Sequence, residues 1–347
     1  MPHLVAAPDK FRGTLTAADA AAAAARGAGA AGWTVDEVPL SDGGEGLLEA
    51  LGGSARVTTV AGPLGKPVKA EWRLLDARAG DRGLTAVVEM SRAAGRALVP
   101  SPRGDDPVRA GTAGVGQLML AARDAGARRI VVGCGGSATT DGGEGAYDGV
   151  GSPTALHDVE LVVASDVTTA FLDAARMFGP QKGATPSQIE LLTRRLERVA
   201  DRYRRETGVD VLPVPGAGAA GGLAGGLLAL GARIEPGFGL VARMLGLAGL
   251  MERADLVVTG EGHLDRPSFH GKVPGGVLDL ARARTAAGRP LPVLCIAGGA
   301  DAALVTSPPA GMEVVSLTAR FGRARARADT ADLIAQVTAE ALGRFCP

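Results

Sequence analysis

Short runs of apolar, often β-branched residues recur along the chain, and most are followed by a glycine-rich loop and a helical stretch. Four of these runs are typical of buried parallel strands: His3–Ala7, Ile130–Val132, Val159–Ala164 and Ala254–Thr259. Thr16, with Asp19 three residues later, predicts the capped start of an alanine-rich helix. The alternation of strands and helices predicts an α/β protein with mainly parallel sheets.

Three runs interrupt this alternation, namely Val57–Val60, Val68–Leu75 and Leu84–Met90, and they predict an antiparallel insert or a domain crossing. The last two apolar runs, Leu291–Ala297 and Met312–Leu317, are expected to join the sheet of the first strand. A chain of 347 residues is long enough for two domains of about 150 residues each. We therefore predict one discontinuous α/β domain, residues 1–56 plus 273–347, and a second α/β domain, residues 57–272, which carries most of the glycine-rich loops.

Composition excludes several classes of function. The formal net charge is +0 and aromatic residues make up 3% of the chain, which argues against a nucleic-acid partner. The three cysteines, Cys134, Cys295 and Cys346, form no C-x-x-C pair, as expected for a reduced cytoplasmic protein without a zinc site. No apolar run approaches the length of about 20 residues that a membrane span needs, so no membrane partner is predicted.

Five loops combine glycine with Asp, Glu or Lys: Pro8–Gly13, Ser41–Gly46, Gly133–Gly143, Phe178–Ala184 and Gly260–Lys272. Glycine lets backbone N–H groups approach a phosphate, lysine neutralises it, and carboxylates suit Mg²⁺. Lysine is rare in this arginine-rich chain, so Lys10, Lys182 and Lys272, in or beside such loops, are interpreted as functional point charges, and Lys182 and Lys272 are predicted to contact phosphate. The alternatives are a glycine-rich turn without a ligand at Gly133–Gly143 and simple helix capping by Asp42 or Glu45.

Other patterns carry less weight. Gly216–Gly221 matches G-x-G-x-x-G, but prolines spoil the preceding strand and no strand ending in an acid follows, so a dehydrogenase is disfavoured. His263 and His270 are interpreted as exposed loop residues, and the basic run Arg320–Arg327 as a solvated loop. No Walker motif or protein-kinase motif is present. Phosphoryl transfer remains the chemistry that the five loops fit best, because it needs positioning and charge neutralisation above all.

At these loops the chain resembles the bacterial glycerate kinase family, of the glycerate 2-kinase type. Six segments carry the resemblance in matching order: PDKFRGTLTA (Pro8–Ala17), LSDGGEG (Leu40–Gly46), GGSATTDGG (Gly135–Gly143), FGPQKGAT (Phe178–Thr185), PGAGAAGGL (Pro215–Leu223), and TGEGHLD with HGK (Thr259–Asp265, His270–Lys272). The resemblance implies ATP-dependent phosphorylation of D-glycerate to 2-phosphoglycerate, with an alcohol group as acceptor. It also implies two α/β domains with an active-site cleft between them, and places the Gly216–Gly221 stretch in that cleft.

The chain departs from the family pattern at several places, among them His263 and Pro267, where the family usually has Arg or Ser and Gln, respectively. Thr140 stands where the family usually has Asn, and the region from Glu144 to Met177 is shorter than usual. These changes bear on glycerate recognition more than on phosphoryl transfer, since the charged loop residues remain. Two alternatives stay open: a kinase of another small hydroxy acid, and a catalytically silent nucleotide-binding homologue.

Candidate roles follow from the positions of the charged residues. A carboxylate at the carboxyl end of a strand can accept the substrate hydroxyl proton, and Asp166 is preferred over Asp42 for this role. The carboxylate of a small acid needs a cation, which Arg12 or Lys10 supplies. Asp141, with Glu261 or Asp42, is predicted to hold Mg²⁺. The full set is Asp166, Asp42 and Lys182 as catalytic residues; Lys10, Arg12, Asp9 and Asp265 for the substrate; Gly135, Gly136, Ser137, Thr139, Gly218, Gly221 and Lys272 for ATP phosphates; and Asp141 and Glu261 for metal. The expected partners are ATP, a small hydroxy acid and, as a possibility for assembly, a second copy in a homodimer.

Overall fold

The structure is a computed structural model that describes residues 1–77, 83–284 and 290–345. Cys346 lies outside these residues, and Cys134 and Cys295 are free thiols. Within the described ranges, no helix combines the length and the apolarity that crossing a membrane requires.

In the described part of the chain, strands and helices alternate over most of its length. The strands are β1 His3–Ala6, β2 Thr34–Glu37, β3 Ser54–Ala61, β4 Pro67–Leu75, β5 Leu84–Glu89, β6 Ala127–Gly133, β7 Glu160–Ala164, β8 Arg233–Glu235, β9 Leu256–Leu264, β10 Val293–Ala300 and β11 Met312–Ser316. The helices are α1 Ala17–Ala30, α2 Leu47–Leu51, α3 Ser91–Ala94, α4 Asp106–Arg109, α5 Ala113–Asp124, α6 Glu144–Val150, α7 Ala174–Phe178, α8 Pro186–Thr207, α9 Ala219–Ala229, α10 Gly237–Leu245, α11 Leu247–Glu252, α12 Val273–Ala283, α13 Ala302–Thr306, α14 Leu317–Phe321, α15 Arg323–Ala328 and α16 Thr330–Phe345. The predicted α/β class is confirmed.

The chain divides into two compact units. The first comprises Met1–Asp42, Glu49–Leu51 and Phe238–Pro347, and the second comprises Gly43–Leu48 and Gly52–Gly237. This division differs from the predicted boundaries at residues 56 and 272, since the segment from 238 to 272 belongs to the first unit. The reason is β9, which pairs with β1 on one side and with β10 on the other. A strand at the centre of a sheet cannot belong to another domain.

The first unit is built on a parallel sheet with the strand order β11-β10-β9-β1-β2. The prediction that the first strand and the last two share one sheet is confirmed. Alternate residues of β1, β9 and β10 face a core that is closed by the alanine-rich helix α1 and by α16. Gly27 on α1 permits this packing, because a Cβ there would lie 2.2 Å from the Ala335 carbonyl oxygen. As predicted, Thr16 caps α1, accepting a hydrogen bond from the Asp19 N–H at 3.1 Å.

The order of these strands creates a topological switch point between β1 and β9. The chain passes from β1 outward to β2 on one side, and from β9 through β10 to β11 on the other. Neighbouring connections therefore diverge at the carboxyl ends of β1 and β9. In open α/β sheets this divergence leaves a crevice in which ligands bind.

The second unit contains a mixed sheet with the order β3-β4-β5-β6-β7-β8. The β3–β4 and β4–β5 pairs are antiparallel, which confirms the predicted antiparallel strands, whereas β5 through β8 are parallel. The long helix α8 begins with a capping box formed by Thr185 and Gln188 and buries Leu192, Leu196 and Tyr203 against the core. The carboxyl ends of β6 and β7 carry the loop Gly133–Gly143 and Asp166 respectively.

Candidate functional site

In the first unit, the loop after β1 places a buried acid at the switch point. The side chain of Asp9 is buried, and its Oδ1 accepts hydrogen bonds from the backbone N–H of Lys10 at 2.7 Å and from Lys10 Nζ at 3.4 Å. Burial raises the pKa of Asp9 to about 6; Lys10 opposes this rise and the charge of Asp42 adds to it. Asp9 therefore has a cation, Lys10, beside it and a pKa close to the neutral range.

Glu261, on neighbouring strand β9, belongs to the same group of charges. Its side chain is buried, and its Oε1 has no hydrogen-bond partner among the described residues. Burial raises the pKa of Glu261, and the charges of Asp9 and Asp265 act in the same direction while Lys272 opposes them. An unpaired buried carboxylate oxygen is costly, so this atom fits contact with a cation or with a hydroxyl group.

Asp265 and Lys272 frame the loop that follows β9. Asp265 accepts hydrogen bonds from the backbone N–H of Ser268 at 3.0 Å and from its hydroxyl at 2.8 Å. Although burial opposes the shift, these bonds and the charge of Lys272 lower the pKa of Asp265. Asp265 is thus an ionised cap for a short 3₁₀ turn, and Lys272 stands at the start of α12.

In the second unit, Asp141 anchors the glycine-rich loop after β6. The residue is fully buried, and its carboxylate accepts four hydrogen bonds: from Thr112 N at 2.8 Å, Thr112 Oγ1 at 2.7 Å, Gly145 N at 3.1 Å and Gly143 N at 3.2 Å. Both carboxylate oxygens are therefore used within the protein. These contacts describe a structural role, whereas the prediction that Asp141 binds Mg²⁺ stays a prediction.

The glycines of two loops allow close packing of their backbones. Ala220, Gly221 and Gly222 all have left-handed conformations, with φ values of 54°, 72° and 89°. A Cβ on Gly221 would lie 1.9 Å from the Thr139 carbonyl oxygen, and the Gly142 N–H donates to the Gly221 carbonyl at 3.0 Å. The match to G-x-G-x-x-G thus has a packing explanation, which fixes the position of the loop 139–143.

Lys182 directs a buried ammonium group at this loop. The side chain is 5% exposed, and Nζ donates to the carbonyl oxygen of Thr139 at 2.5 Å and to Thr140 Oγ1 at 3.5 Å. No carboxylate of the described residues lies within ion-pair distance of Nζ. Burial lowers the pKa of Lys182 to about 7; the charge of Asp141 opposes the shift and that of Arg96 reinforces it. The buried hydroxyl of Thr139 also has no hydrogen-bond partner in the described structure.

Asp166 lies directly after β7 in the same unit. It is half-buried, and its Oδ1 accepts a hydrogen bond from the Gly237 N–H at 2.9 Å. The structure thus places Asp166 at the carboxyl end of a parallel strand, as the sequence predicts.

Comparisons with known proteins identify the family to which the chain belongs. The sequence model described as the glycerate kinase family matches residues 4–154 and 147–346. The chain is 38% identical over 317 residues to a glycerate 2-kinase of Escherichia coli (strain K12), covering 80% of this chain and 82% of that protein. It is 37% identical over 333 residues to a glycerate kinase of Bacillus subtilis (strain 168), with coverages of 85% and 84%. The chain belongs to the glycerate kinase family.

A solved structure supports the same assignment. The crystal structure of a candidate glycerate kinase 2 from Salmonella typhimurium LT2 matches with a TM-score of 0.79 and 32% identity, covering 99% of each chain. The resemblance found in the loops is therefore confirmed for the family and for the fold. As a member of this family, the chain is a kinase, and phosphorylation of glycerate is the activity after which several of its relatives are named.

The structure distributes the predicted site residues of this kinase over two groups, one in each unit. The first unit holds Asp9, Lys10, Arg12, Asp42, Glu261, Asp265 and Lys272. The second unit holds Gly135, Gly136, Ser137, Thr139, Asp141, Asp166, Lys182, Gly218 and Gly221. Gly218 is also a packing residue, because a Cβ there would lie 2.3 Å from the Ala170 carbonyl oxygen.

Two residues that support the site were missed by the sequence analysis. Thr112, at the start of α5, holds Asp141 through both its backbone and its hydroxyl. Glu89 ends β5, is buried, and accepts hydrogen bonds from Gly46 N at 2.8 Å and Leu48 N at 3.2 Å, thereby fixing the loop Ser41–Gly46 at its second half. Glu89 could have been found from the sequence, because it is a carboxylate at the end of an apolar strand. Nothing in the sequence marks Thr112.

The residues present fit Mg²⁺ only in part. Among the described residues, no group of three or more His, Cys, Asp or Glu side chains is arranged to hold a metal ion. Mg²⁺ nevertheless keeps several waters and needs only one or two carboxylates from the protein. Glu261 has an unpaired Oε1 among the described residues, and the charge of Asp9 acts on it, so these two carboxylates are sufficient for a Mg²⁺ ion that keeps most of its waters.

Proposed function

We propose that the kinase transfers the γ-phosphoryl group of ATP to the 2-hydroxyl of D-glycerate, giving 2-phosphoglycerate and ADP. The family assignment and the relatives named glycerate kinase support the substrate. The observation that carries the proposal is the buried ammonium of Lys182. A charge in a protein interior without an ion-pair partner is expensive, and the hydrogen bonds of Nζ and the charge of Asp141 offset this cost only in part, because the pKa is still lowered. We infer that the remaining partner arrives with the ligand. A phosphate group is that partner.

The surroundings of Lys182 support a phosphate contact. Nζ lies against the backbone of the glycine-rich loop, beside the unpartnered hydroxyl of Thr139. A phosphate oxygen can accept hydrogen bonds from both groups. The ammonium would then neutralise charge on the transferring group, which is the main task of a protein in phosphoryl transfer. We propose further phosphate contacts from Gly135, Gly136 and Ser137 in the second unit and from Lys272 in the first.

The charges of the first unit suit recognition of the hydroxy acid. Lys10 and Arg12 supply cations for the glycerate carboxylate, since Arg12 has no ion-pair partner among the described residues. Asp9 and Asp265 can accept hydrogen bonds from substrate hydroxyl groups. Glu261 is the proposed ligand of Mg²⁺, which would neutralise phosphate charge when bound.

The reaction also needs a proton acceptor. As the oxygen of the 2-hydroxyl bonds to phosphorus and the bond to ADP breaks, the hydroxyl proton must leave. We propose Asp166 for this role, with Asp42 as the alternative. Oδ1 of Asp166 accepts a hydrogen bond from the Gly237 N–H at 2.9 Å, which restricts the motion of the carboxylate.

An ADP-release assay tests the function directly. The protein is incubated with ATP, Mg²⁺ and D-glycerate, L-glycerate, lactate or tartrate, and ³¹P NMR of the product assigns the phosphorylated hydroxyl. We expect turnover with D-glycerate and a 2-phosphate product. Lys182→Met should lower kcat by about 10²–10³-fold, the range found when one such electrostatic contact is removed. ATP binding without turnover of any of these acids would contradict the proposal. Turnover of another of these acids but not of D-glycerate would show that D-glycerate is not the substrate.

A further inference from the structure

The first unit contains a cavity of about 530 Å³ at the carboxyl ends of β9, β10 and β11. Its floor includes the strand-end glycines Gly262, Gly298 and Gly299. Cavities of this size are within the range that binds small molecules, and the carboxyl edge of a parallel sheet is where such molecules bind. A Cβ on Gly299 would lie 3.0 Å from Nδ1 of His263, which also lines the cavity, so a larger residue at this position would crowd the histidine.

Three arginines line the cavity: Arg12 from the loop after β1, and Arg323 and Arg327 from α15. Arg323 and Arg327 are four residues apart and thus lie on one side of the helix. A Cβ on Gly13 would lie 3.9 Å from Arg327 Nη2, so Arg327 reaches the loop that carries Arg12. No Asp or Glu of the described residues lines the cavity. His263, which does line it, lies with its Nε2 3.7 Å from Asp301 Oδ1.

These three arginines differ from their neighbours in having no ion-pair or side-chain hydrogen-bond partner among the described residues. In the same basic run, Arg320 pairs with Glu340 at 2.5 Å and Arg325 pairs with Asp329 at 3.5 Å. Arg320 and Arg325 also lie over the ring of Phe321. The prediction that this run is a loop is wrong, because it lies in α14 and α15. Arg320 and Arg325 are paired with acids, whereas Arg323 and Arg327 line the cavity without such partners among the described residues.

The remaining lining is neutral. It offers the hydroxyl groups of Thr14, Ser316 and Thr318 and the apolar surface of Phe11 and Ala326. Thr318 Oγ1 donates to the Gly298 carbonyl at 2.6 Å, which fixes the start of α14 against the end of β10. Planar guanidinium groups bind phosphate oxygens in pairs, and hydroxyl groups complete such sites. The lining thus suits a small organic molecule that carries an anionic group.

We propose that this cavity binds a small molecule that carries one or more phosphate groups, with the phosphate held by Arg12, Arg323 and Arg327. A nucleotide and a phosphorylated hydroxy acid share this chemistry. The proposal rests in part on the proposed function, because Arg12 is shared with the proposed contact to the glycerate carboxylate and the cavity would hold the phosphate of one of its ligands. Binding is measured without glycerate and without turnover, so a failure here is distinguishable from a failure of the proposed function.

Isothermal titration calorimetry of the full-length protein at low ionic strength tests the proposal with three probes: ADP, 2-phosphoglycerate and inorganic phosphate. The double variant Arg323→Ala/Arg327→Ala removes two of the cavity cations. Arg325→Ala is the matched control, since it removes a charge from the same helix outside the cavity. We expect at least one probe to bind wild type with an affinity that falls at least about tenfold in the double variant and stays within about twofold in the control. The probe affected identifies the source of the phosphate.

Two further measurements keep the result interpretable. Thermal unfolding shows whether the double variant is folded, and Arg323→Lys/Arg327→Lys, which retains the charge and loses the paired donors, should bind with intermediate affinity. The affected probe should bind Lys182→Met as it binds wild type, which separates this cavity from the phosphate contact of Lys182. If wild type binds none of the probes, or if the double variant binds all of them as tightly as Arg325→Ala does, the proposal is overturned.

Discussion

The pH of the solution should control how tightly the proposed ligand ATP binds, because Lys182 loses its proton in the neutral range. Burial lowers the pKa of Lys182 to about 7 in the free protein. A bound phosphate would place a negative charge beside Nζ and raise that pKa again. Phosphate binding is then linked to the uptake of a proton at any pH above about 7. Affinity should be complete below that pH and fall as the pH rises.

The magnitude follows from the titration. With a pKa near 7, the ammonium form makes up about 90% of the free protein at pH 6 and about 10% at pH 8. If the complex keeps Lys182 charged at both values, the affinity for ATP should fall about tenfold between them, or about 1.4 kcal/mol. Titration calorimetry in two buffers with different ionisation enthalpies should then show an uptake approaching one proton for each ATP bound at pH 8.

Lys182→Arg is the control, because the guanidinium group stays charged throughout this range. ATP's own titration contributes equally to both proteins, so the difference between them isolates Lys182. The affinity of the variant should lack the tenfold loss, and its proton uptake should fall by the same amount. Equal pH dependence in the two proteins would show that Nζ does not contact the phosphate, and would remove the main support for the proposed function.

Three further predictions concern stability and catalysis. The pKa of Lys182 is about 7 in the folded protein and 10.5, its ordinary value, in the unfolded chain. The burial of its charge therefore destabilises the folded protein below pH 7, and this cost decreases as the pH rises above 7. Lys182→Met should raise Tm by several degrees at pH 6 and by less at pH 9, as calorimetry can show. Asp166→Asn should collapse kcat while leaving the ATP Kd nearly unchanged; lost ATP binding would instead place Asp166 among the phosphate or metal contacts. Gly221→Ala should destabilise the protein by about 2–4 kcal/mol in chemical denaturation, because its Cβ would meet the Thr139 carbonyl oxygen at 1.9 Å. Gly249→Ala, in a helix with open space, should change stability by less than about 1 kcal/mol, and similar losses in both variants would refute the packing role.

The positions of the elements followed from local patterns. The run Ile130–Val132 was predicted as a buried strand and lies within β6, and the capping residue Thr16 correctly placed the start of α1. Such predictions succeed because strand burial and helix capping depend on side chains within a few residues of each other. The predicted boundary at residue 272 depended on a partner far along the chain, since β9 belongs with β1, some 250 residues earlier.

The candidate site shows the same division. Its loops were found from sequence, because glycine and charged residues at the carboxyl ends of strands are visible in the order of residues. Whether each of these side chains stabilises the fold or remains available to a ligand could not be predicted from the sequence. Asp141 has the residue type of a metal ligand, yet its carboxylate is occupied by Thr112, 29 residues away. Gly221 fits a dinucleotide motif, yet the backbone of Thr139 packs directly on it.

The sequence by itself therefore determined the α/β class, most of the strands, the five glycine-rich charged segments and the resemblance to the glycerate kinase family, although it missed β8 and took the end of β9 for a loop. Only the tertiary structure decided which loop residues hold the fold and which keep unsatisfied groups for a ligand. Among the described residues, it left Lys182 Nζ without a carboxylate at ion-pair distance and Glu261 with an unpaired oxygen. It also separated Arg323 and Arg327, which line the cavity, from the paired arginines of the same run. The physical reason is that burial and pairing set the free energy of a charge, and both depend on neighbours brought together by folding.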